Sequence, residues 1–512
     1  MPDIVAAFRS VAAEFGGSVA VAVGGRELTY RRLDELSTQL ATHLVHVDRV
    51  QAEEPVGVTL DRDLRAIVVL LGILKAGAAY VPLDPASPPE RLERLMALVR
   101  PRLVIAAPGT AVPGSADILD FDRPGSCPHH RGNAGACACA GDPGVRIHPR
   151  QLAYVITTSG SSGEPKAVGI EHIGVVNLAT WMRDAIGISV GSRVTQNAPL
   201  TFDASVQQWS GALLNGAALL PLPASARTEP DEHFSFLGEE RVTTWDCVPS
   251  IWRELINFAE FKARRGAPIT LPDLRSVLVA GEELRVADVN RWHAAVQSPA
   301  TIWNVYGPTE ATVDAIAFAV PRGFRGPDLP IGRPIKGMSA RLVAPQGVVA
   351  QHEGEICLSG PGVARGYLGD PAGTAAVFVP NPASLGARMY RTRDLATVTA
   401  AGQLVFRGRM DDVLKINGVR VSLTEIEHEV RRLTGVEQLT ALAEETDMGW
   451  RVVTMYVSDA DLPDDTLRQL RQHLPAAMVP SVLRRVTTIP IGCHGKLDRT
   501  KMARRLYQPD EE

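Results

Sequence analysis

Aromatic residues make up only 5% of the 512-residue chain, and its six cysteines are scattered rather than gathered into a short frame. So thin a set of thiols cannot staple a fold of this size, which excludes a disulfide scaffold and points to a reducing compartment. Neither charge is in excess: 53 Lys and Arg face 57 Asp and Glu, for a formal net charge of −4. Without a basic field the chain lacks the attraction that nucleic acid or an anionic membrane surface requires. No apolar run reaches the roughly 18 residues of a bilayer span, and the N-terminal M-P-D-I-V-A-A-F-R-S-V has an early acid and no sustained apolar core. The expectation is a cytoplasmic protein. No period of about 20 to 50 residues recurs, which excludes a repeat array.

What the chain has is length. At roughly 150 residues per domain it implies about three domains or subdomains, and a composition of 45% hydrophobic and 21% charged residues describes a large multidomain enzyme. Asp61 to Lys75 is apolar on most faces and long enough for a buried helix, with Gly77 as its stop signal. Tyr80 to Asp84 then reads as a short strand, Arg91 to Val99 as a helix and Leu103 to Ile105 as a buried strand. That alternation predicts parallel sheets in an α/β protein. From about Ile331 the texture becomes glycine-rich turns between short strand-like runs at Ala340 to Val343, Glu355 to Leu358 and Gln403 to Phe406, a β-rich subdomain. A junction is expected near Asp411, followed by a strand from Val413 to Ile416 and a helix from Leu423 to Arg432, with Thr424 and Glu427 spaced like a capping box.

Cys127, His129, His130, Cys137, Cys139 and His148 fall in a Gly-, Pro- and Ala-rich stretch. Their spacing fits no standard zinc finger, and a surface loop accounts for them better than a structural metal.

The segment Y-V-I-T-T-S-G-S-S-G-E-P-K, Tyr154 to Lys166, carries more chemistry. An apolar run empties into a loop in which Gly160 and Gly163 let backbone N–H groups turn inward. Thr157, Thr158, Ser159, Ser161 and Ser162 add hydroxyls, and Lys166 adds a charge. Such a loop suits a polyphosphate, although a plain linker has a similar composition. It is not the P-loop of nucleotide hydrolases, because the G-x-x-x-x-G-K-[ST] spacing is absent and Glu164-Pro165 disfavours a helix starting at the lysine.

Further segments combine glycine with charged or aromatic residues where a core requires neither. They are Leu74 to Asp84, Phe202 to Ser205, Asn304 to Glu310, Gly354 to Ile356 followed by Gly362 to Leu368, Tyr390 to Leu395, Gly408 to Asp411, Lys415 to Arg420 and Gly495 to Arg499. Each alone is weak. In this order they closely resemble the adenylation domains of nonribosomal peptide synthetases, members of the acyl-adenylate-forming (ANL) superfamily, from about Leu28-Thr29-Tyr30 to Arg499.

The resemblance implies an α/β fold. Its large N-terminal domain, residues 1–410, would comprise two α/β subdomains plus a β-barrel, and a small mobile α+β C-terminal domain, 411–512, would rotate about a hinge at Asp411. It implies that a carboxylate attacks the α-phosphorus of MgATP, giving an acyl-adenylate and pyrophosphate, and that the acyl group then passes to a phosphopantetheine thiol. Positioning and cationic stabilisation would supply most of the catalysis, since a carboxylate is a poor nucleophile and charge gathers on phosphate oxygens.

By resemblance, Thr158, Ser159, Gly160, Ser161, Ser162, Gly163 and Lys166 hold the β- and γ-phosphates, and Glu310 helps bind Mg²⁺. Tyr306 stacks on adenine, Asp394 accepts from the ribose hydroxyls, Arg409 reaches toward the ribose, and Asn304 and Thr309 complete the nucleotide site. Lys496 bridges the substrate carboxylate and the α-phosphate, and Gly418 lies in the segment that faces the site for thioester formation. In isolation Asp394 reads as a turn cap and Lys496 as a solvated charge; the ordered motifs override both.

Asp203 stands where amino-acid-activating members set an aspartate against the substrate ammonium, so an α-amino acid is the expected substrate. The pocket positions carried over are Asp203, Ala204, Gln207, Asp246, Leu278, Ala280, Val305, Val313, Asp314 and Lys496, a set resembling the glutamine-selecting pattern except at Ala280, where glycine is usual. Asp246 and Asp314 would repel a γ-carboxylate, whereas a γ-amide can donate to them and accept from Gln207. The same two acids could instead hold a cation, which makes arginine the alternative.

Where the family has T-G-D the chain has Thr392-Arg393-Asp394, expected to alter the local turn or lower activity; Ser162 replaces a commoner threonine and Ala167 a commoner glycine. A catalytically silent binding module and an acyl-CoA ligase are the rival readings, the second disfavoured by Asp203. Thr500 to Glu512 is too short for a helical carrier domain. The expected partners are therefore a separate phosphopantetheinylated carrier protein, serving nonribosomal peptide or related antibiotic biosynthesis in trans, and an MbtH-like helper.

Overall fold

Short β-branched runs bounded by turns form buried parallel strands, and the intervening amphipathic segments form the helices that cover them. In the computed structural model, residues 1–60, 62–107, 110, 112, 117–120, 141–158, 165–344, 348–384, 386–410, 413–416, 419–446, 449–458 and 460–489 are described. By compactness they fall into two units. The first takes in Met1–Pro85, Met96–Thr157 and Ala167–Gly408; the second contains Ala86–Leu95, Thr158, Pro165, Lys166 and what is described from Arg409 onward.

The first unit is built on three large sheets. A nine-stranded sheet runs in the order Arg333–Pro334, Ile316–Val320, Thr301–Tyr306, Ser276–Ala280, Thr244–Cys247, Arg193–Gln196, Ala218–Pro221, Val19–Val23, Arg26–Thr29. Its central pairs are parallel and its outermost pairs antiparallel. A seven-stranded sheet runs Gly366–Tyr367, Lys166–Glu171, Leu152–Thr158, Ala79–Pro82, Pro55–Val58, Leu103–Ala106, Asp117–Asp120. A six-stranded antiparallel sheet from Ser339–Val343 to Leu404–Arg409 is the β-rich subdomain expected after Ile331. Lys166 opens a strand, in keeping with the helix-breaking Glu164-Pro165 pair.

The second unit holds the hairpin Val413–Ile416 with Val419–Ser422, the three-stranded sheet Leu439–Thr446, Gly449–Tyr456, Val482–Arg485, and the helix Leu423–Thr434. That helix corrects one expectation. Thr424 and Glu427 do not form its cap: Ser422 Oγ accepts from the Glu425 amide at 3.2 Å, while Glu427 turns inward to accept from the Ala441 amide at 2.9 Å and the Thr440 hydroxyl at 3.2 Å. The serine meets the helix start first, and the glutamate is more useful tying the helix to its neighbouring strand. Among the described residues no helix is long and apolar enough to cross a membrane.

The helix expected from Asp61 begins at Leu64, capped by Asp63, whose carboxylate accepts from the Ala66 amide at 2.9 Å. It is buried almost all round and ends at Gly77, whose φ of +75° few other residues adopt without cost. Its last residue, Lys75, is fully buried, and its ammonium donates to Asp34 Oδ1 at 2.6 Å, the Asp34 carbonyl at 2.8 Å, Ser37 Oγ at 2.8 Å and Thr38 Oγ1 at 2.9 Å. Burial lowers its pKa to about 8, with Asp34 opposing the shift. The lysine of the L-K-A-G motif is thus structural. Both Lys75→Ala and Lys75→Met leave Asp34, whose side chain is 35% exposed, to water, but the alanine also opens a cavity and is expected to cost about 2–5 kcal/mol, whereas the methionine, which keeps the stem, should cost clearly less. Denaturant midpoints of the two variants check this order.

Candidate functional site

The register of three parallel strands gathers one set of side chains. Asp246 pairs with Leu278, Leu278 with Trp303, and Ala280 with Val305. Paired residues point to the same side and alternate residues return to it, so Asp246, Leu278, Ala280, Trp303 and Val305 share one face near the carboxyl ends of the strands. The helix Ala204–Leu213 lies against it, with Ala204, Gln207 and Gln208 on one side of the helix by their spacing. Gln208 Nε2 donates to Asp246 Oδ1, which fixes the contact. Gln207 is 1% exposed, and among the described residues neither its Oε1 nor its Nε2 has a hydrogen-bond partner. A buried amide with all its capacity unused is costly unless a ligand supplies the partners.

Asp203 precedes this helix and accepts from Thr309 Oγ1, which ties the residue expected at the nucleotide to the one expected at the substrate ammonium. The loop after Tyr306 is forced into an unusual path. A Cβ on Gly307 would lie 1.9 Å from the Val313 carbonyl oxygen, so only glycine lets the loop fold back there. The return passes through Thr312 at φ +57° and Val313 at φ +68°, two β-branched residues in the left-handed region. It leaves Val313 in the apolar cluster that contains Leu278 and Val305, and Asp314 buried.

Glu310 is completely buried on the same loop and accepts from the Tyr367 hydroxyl at 2.9 Å. Tyr306 donates its hydroxyl to Asp394 Oδ2, and Phe406 packs beside its ring at 6.4 Å. The residues expected at adenine and ribose are thus brought together. Asn304 Nδ2 donates to the Pro330 carbonyl at 2.8 Å, which gives that residue a structural bond. Arg365, in the G-V-A-R-G-Y-L motif, forks onto Glu53 at 2.7 and 3.0 Å and reaches Glu171 at 3.2 Å.

Electrostatically the site is acidic. Burial raises the Asp246 carboxyl to about 7; the Gln208 hydrogen bond opposes the shift and the charge of Asp203 adds to it. Among the described residues no group of three or more His, Cys, Asp and Glu is arranged to hold a metal. A lone buried carboxylate such as Glu310 still suits Mg²⁺, which is commonly held by one or two carboxylates, substrate phosphates and water.

Elsewhere, Thr158 ends its strand with a buried hydroxyl that has no partner among the described residues, Lys166 begins the next strand half-buried, and Arg409 closes the strand Leu404–Arg409. Ser159, Gly160, Ser161, Ser162, Gly163, Lys496, Asp411 and Gly418, with Cys127, His129, His130, Cys137 and Cys139, lie outside the described residues. Sequence reasoning missed Gln208 and Trp303. Both were accessible from the pattern, as the residue four after Ala204 and the residue two before Val305.

Residues 8–368 match the family described as AMP-binding enzyme. The chain belongs to that family, and within it is an adenylation domain with nonribosomal peptide synthetase homologues. It is 33% identical over 509 residues to tyrocidine synthase 2 of Brevibacillus parabrevis, covering 96% of this chain and 13% of that protein. It is 34% identical over 496 residues to zwittermicin A synthase ZmaJ of Bacillus cereus, covering 95% of this chain and 91% of the relative. The chain therefore spans a small part of the first of these and nearly all of the second. Among solved structures, holo-PA1221, an NRPS protein containing adenylation and PCP domains bound to a vinylsulfonamide inhibitor, superposes with a TM-score of 0.83 at 28% identity, covering 98% of this chain and 84% of the other.

Arg393 departs from the family's glycine, and the structure gives the consequence. Its φ is +62°, its amide donates to Glu355 Oε1 at 3.0 Å, and the Asp394 amide donates to Thr392 Oγ1 at 3.0 Å. Arg393 thus takes the left-handed conformation inside the strand Arg388–Val398, where the register against Glu353–Ser359 shifts between Glu355 and Cys357. Arg393→Gly is therefore expected to stabilise the chain by about 1 kcal/mol with the KM for ATP changed by less than about twofold, measurable by chemical denaturation and pyrophosphate exchange.

Proposed function

We propose that the chain activates L-glutamine with ATP as glutaminyl-AMP, releasing pyrophosphate, and passes the acyl group to the phosphopantetheine thiol of a carrier protein, releasing AMP. The observation that carries the substrate reading is Gln207. Its buried amide offers one donor group and one acceptor, and a substrate γ-amide offers the complementary pair. Asp203 accepts from the substrate ammonium. The γ-amide N–H groups meet the acidic pair Asp246 and Asp314, and Leu278, Val305 and Val313 enclose the methylenes. A basic amino acid would meet an Asp246 carboxyl that burial pushes up to about 7, so that it is ionised only in part at neutral pH before the cation arrives.

In the first half-reaction the substrate carboxylate oxygen attacks the α-phosphorus, and the bond from that phosphorus to the pyrophosphate oxygen breaks. The chain's own contribution is alignment and charge. The loop ending in Lys166 holds the leaving pyrophosphate, Tyr306 and Asp394 seat the nucleoside, and Lys496 stabilises the negative charge on the oxygens between the reacting centres. Mg²⁺, held through Glu310 together with phosphate oxygens, would supply further neutralisation of the triphosphate. The division into residues 1–410 and 411–512, with a hinge at Asp411, lets Lys496 serve the first half-reaction and withdraw for the second. A carrier partner is supported by the solved relative that joins adenylation and PCP domains in one protein. An MbtH-like helper on the N-terminal domain belongs to the same proposal.

Glutamine-dependent pyrophosphate exchange that exceeds the signal of other amino acids is the expected result, and a flat panel overturns the substrate assignment. Lys496→Ala should lower kcat at least about a hundredfold, since a positioned charge on the reacting oxygens is worth several kcal/mol. Tight ATP binding without turnover in the unaltered chain would instead identify a silent module.

The pH dependence follows from Asp246. Above about 7 its carboxylate accepts from a γ-amide and repels a γ-carboxylate; below, the neutral acid can donate to glutamate. The ratio of kcat/KM for glutamine over glutamate should therefore fall as pH is lowered through that range, and a flat ratio would remove Asp246 from the selection.

A further inference from the structure

Gln208 belongs to none of the sets assigned above to substrate or nucleotide, yet the hydrogen-bonding capacity of its amide is fully used. Its Oε1 accepts from the backbone amides of Asn197 and Ala198, each at 3.1 Å. Its Nε2 donates to Asn197 Oδ1 at 3.1 Å and to Asp246 Oδ1. The orientation is not a free choice: two backbone N–H groups demand an acceptor, and the flipped amide would set N–H against N–H. The chain therefore compels the NH₂ group to face Asp246. Asn197 is anchored in turn, since Arg62 Nη1 donates to its carbonyl. Gln208 is 1% exposed and Asp246 7%, so water does not stand in for either partner.

An alternative is that Gln208 merely ties down the residues after the strand Arg193–Gln196. The backbone bonds would serve that purpose, but they do not require the second donation, across to a different strand and onto a carboxyl that lines the substrate face.

We propose that Gln208 is a positioning residue for amino-acid selection, holding the Asp246 carboxyl in the rotation at which it meets the side chain of the bound amino acid. This rests on the reading of that face as the amino-acid site. The two can fail separately, because the exchange panel on the unaltered chain first establishes which amino acid is preferred, and the Gln208 test is then read on that amino acid.

Gln208→Leu removes both donations. It is expected to raise the KM for the preferred amino acid about tenfold with kcat changed by less than about twofold, and to erode selectivity over an apolar amino acid by a similar factor. In an Asp246→Ala background, which removes the acceptor, the same substitution should change KM by less than about twofold, because the group it acts through is gone already. Gln208→Glu keeps the size and both backbone bonds but sets an acceptor against Asp246. It should raise KM as the leucine variant does, and it carries the test should the leucine variant fail to fold. Unchanged KM in both variants, an independent effect of Gln208→Leu on top of Asp246→Ala, or an equal fall in kcat for every amino acid would each overturn the proposal.

Discussion

The site depends on one close approach: the Val313 carbonyl oxygen occupies the space in which residue 307 would carry a side chain. Because residue 307 is glycine, the loop after the strand Thr301–Tyr306 can fold straight back onto that strand, and the Ala315 amide donates to the Tyr306 carbonyl at 2.9 Å. The turn needed to do so puts Thr312 and Val313 in a conformation unfavourable to both. A conformation of this kind persists only where the surroundings over-determine it. Here they include the Thr312 hydroxyl donating to the Gly362 carbonyl at 2.6 Å and the Ala364 amide donating to the Glu310 carbonyl at 2.9 Å. One turn thus sets Glu310, Val313 and Asp314 at once, together with the Thr309 hydroxyl that meets Asp203.

Polar groups of the fold differ in how they are satisfied. Lys75, buried, and Arg365, half-buried, each donate to several acceptors and serve as struts. Gln208 is equally satisfied but spends one donor on a carboxyl of the substrate face. Gln207, its neighbour in sequence, has both amide atoms unmatched among the described residues, so two adjacent glutamines on one helix have opposite states of satisfaction.

Much of the fold was legible in the sequence. Short apolar runs such as Leu103 to Ile105 became buried parallel strands, and the long apolar segment before Gly77 became a buried helix, because burial on all sides leaves little else for such runs to do. The β-rich texture after Ile331 read correctly for the same reason. The cap of the helix Leu423–Thr434 was misread because Ser422 and Thr424 carry equivalent hydroxyls, and which one meets the first free amide depends on where the preceding strand ends. The individual site residues were legible only through ordered motifs. The helical spacing from Ala204 puts Gln208 on the site's side, but its partner was not legible, because Asp246 lies 38 positions away. A left-handed Arg393 was hidden because nothing local in Thr-Arg-Asp demands it.

The tether from Gln208 to Asp246 bears on how such pockets can be redesigned. Transplanting only the lining residues into another adenylation scaffold would carry Asp246 across without the amide that orients it. A recipient with a different side chain at the position of Gln208 would then display the same letters with a different geometry. The unit of exchange is the lining together with the helix face behind it, and the strand end at Asn197 and Ala198 that dictates which way that amide must turn.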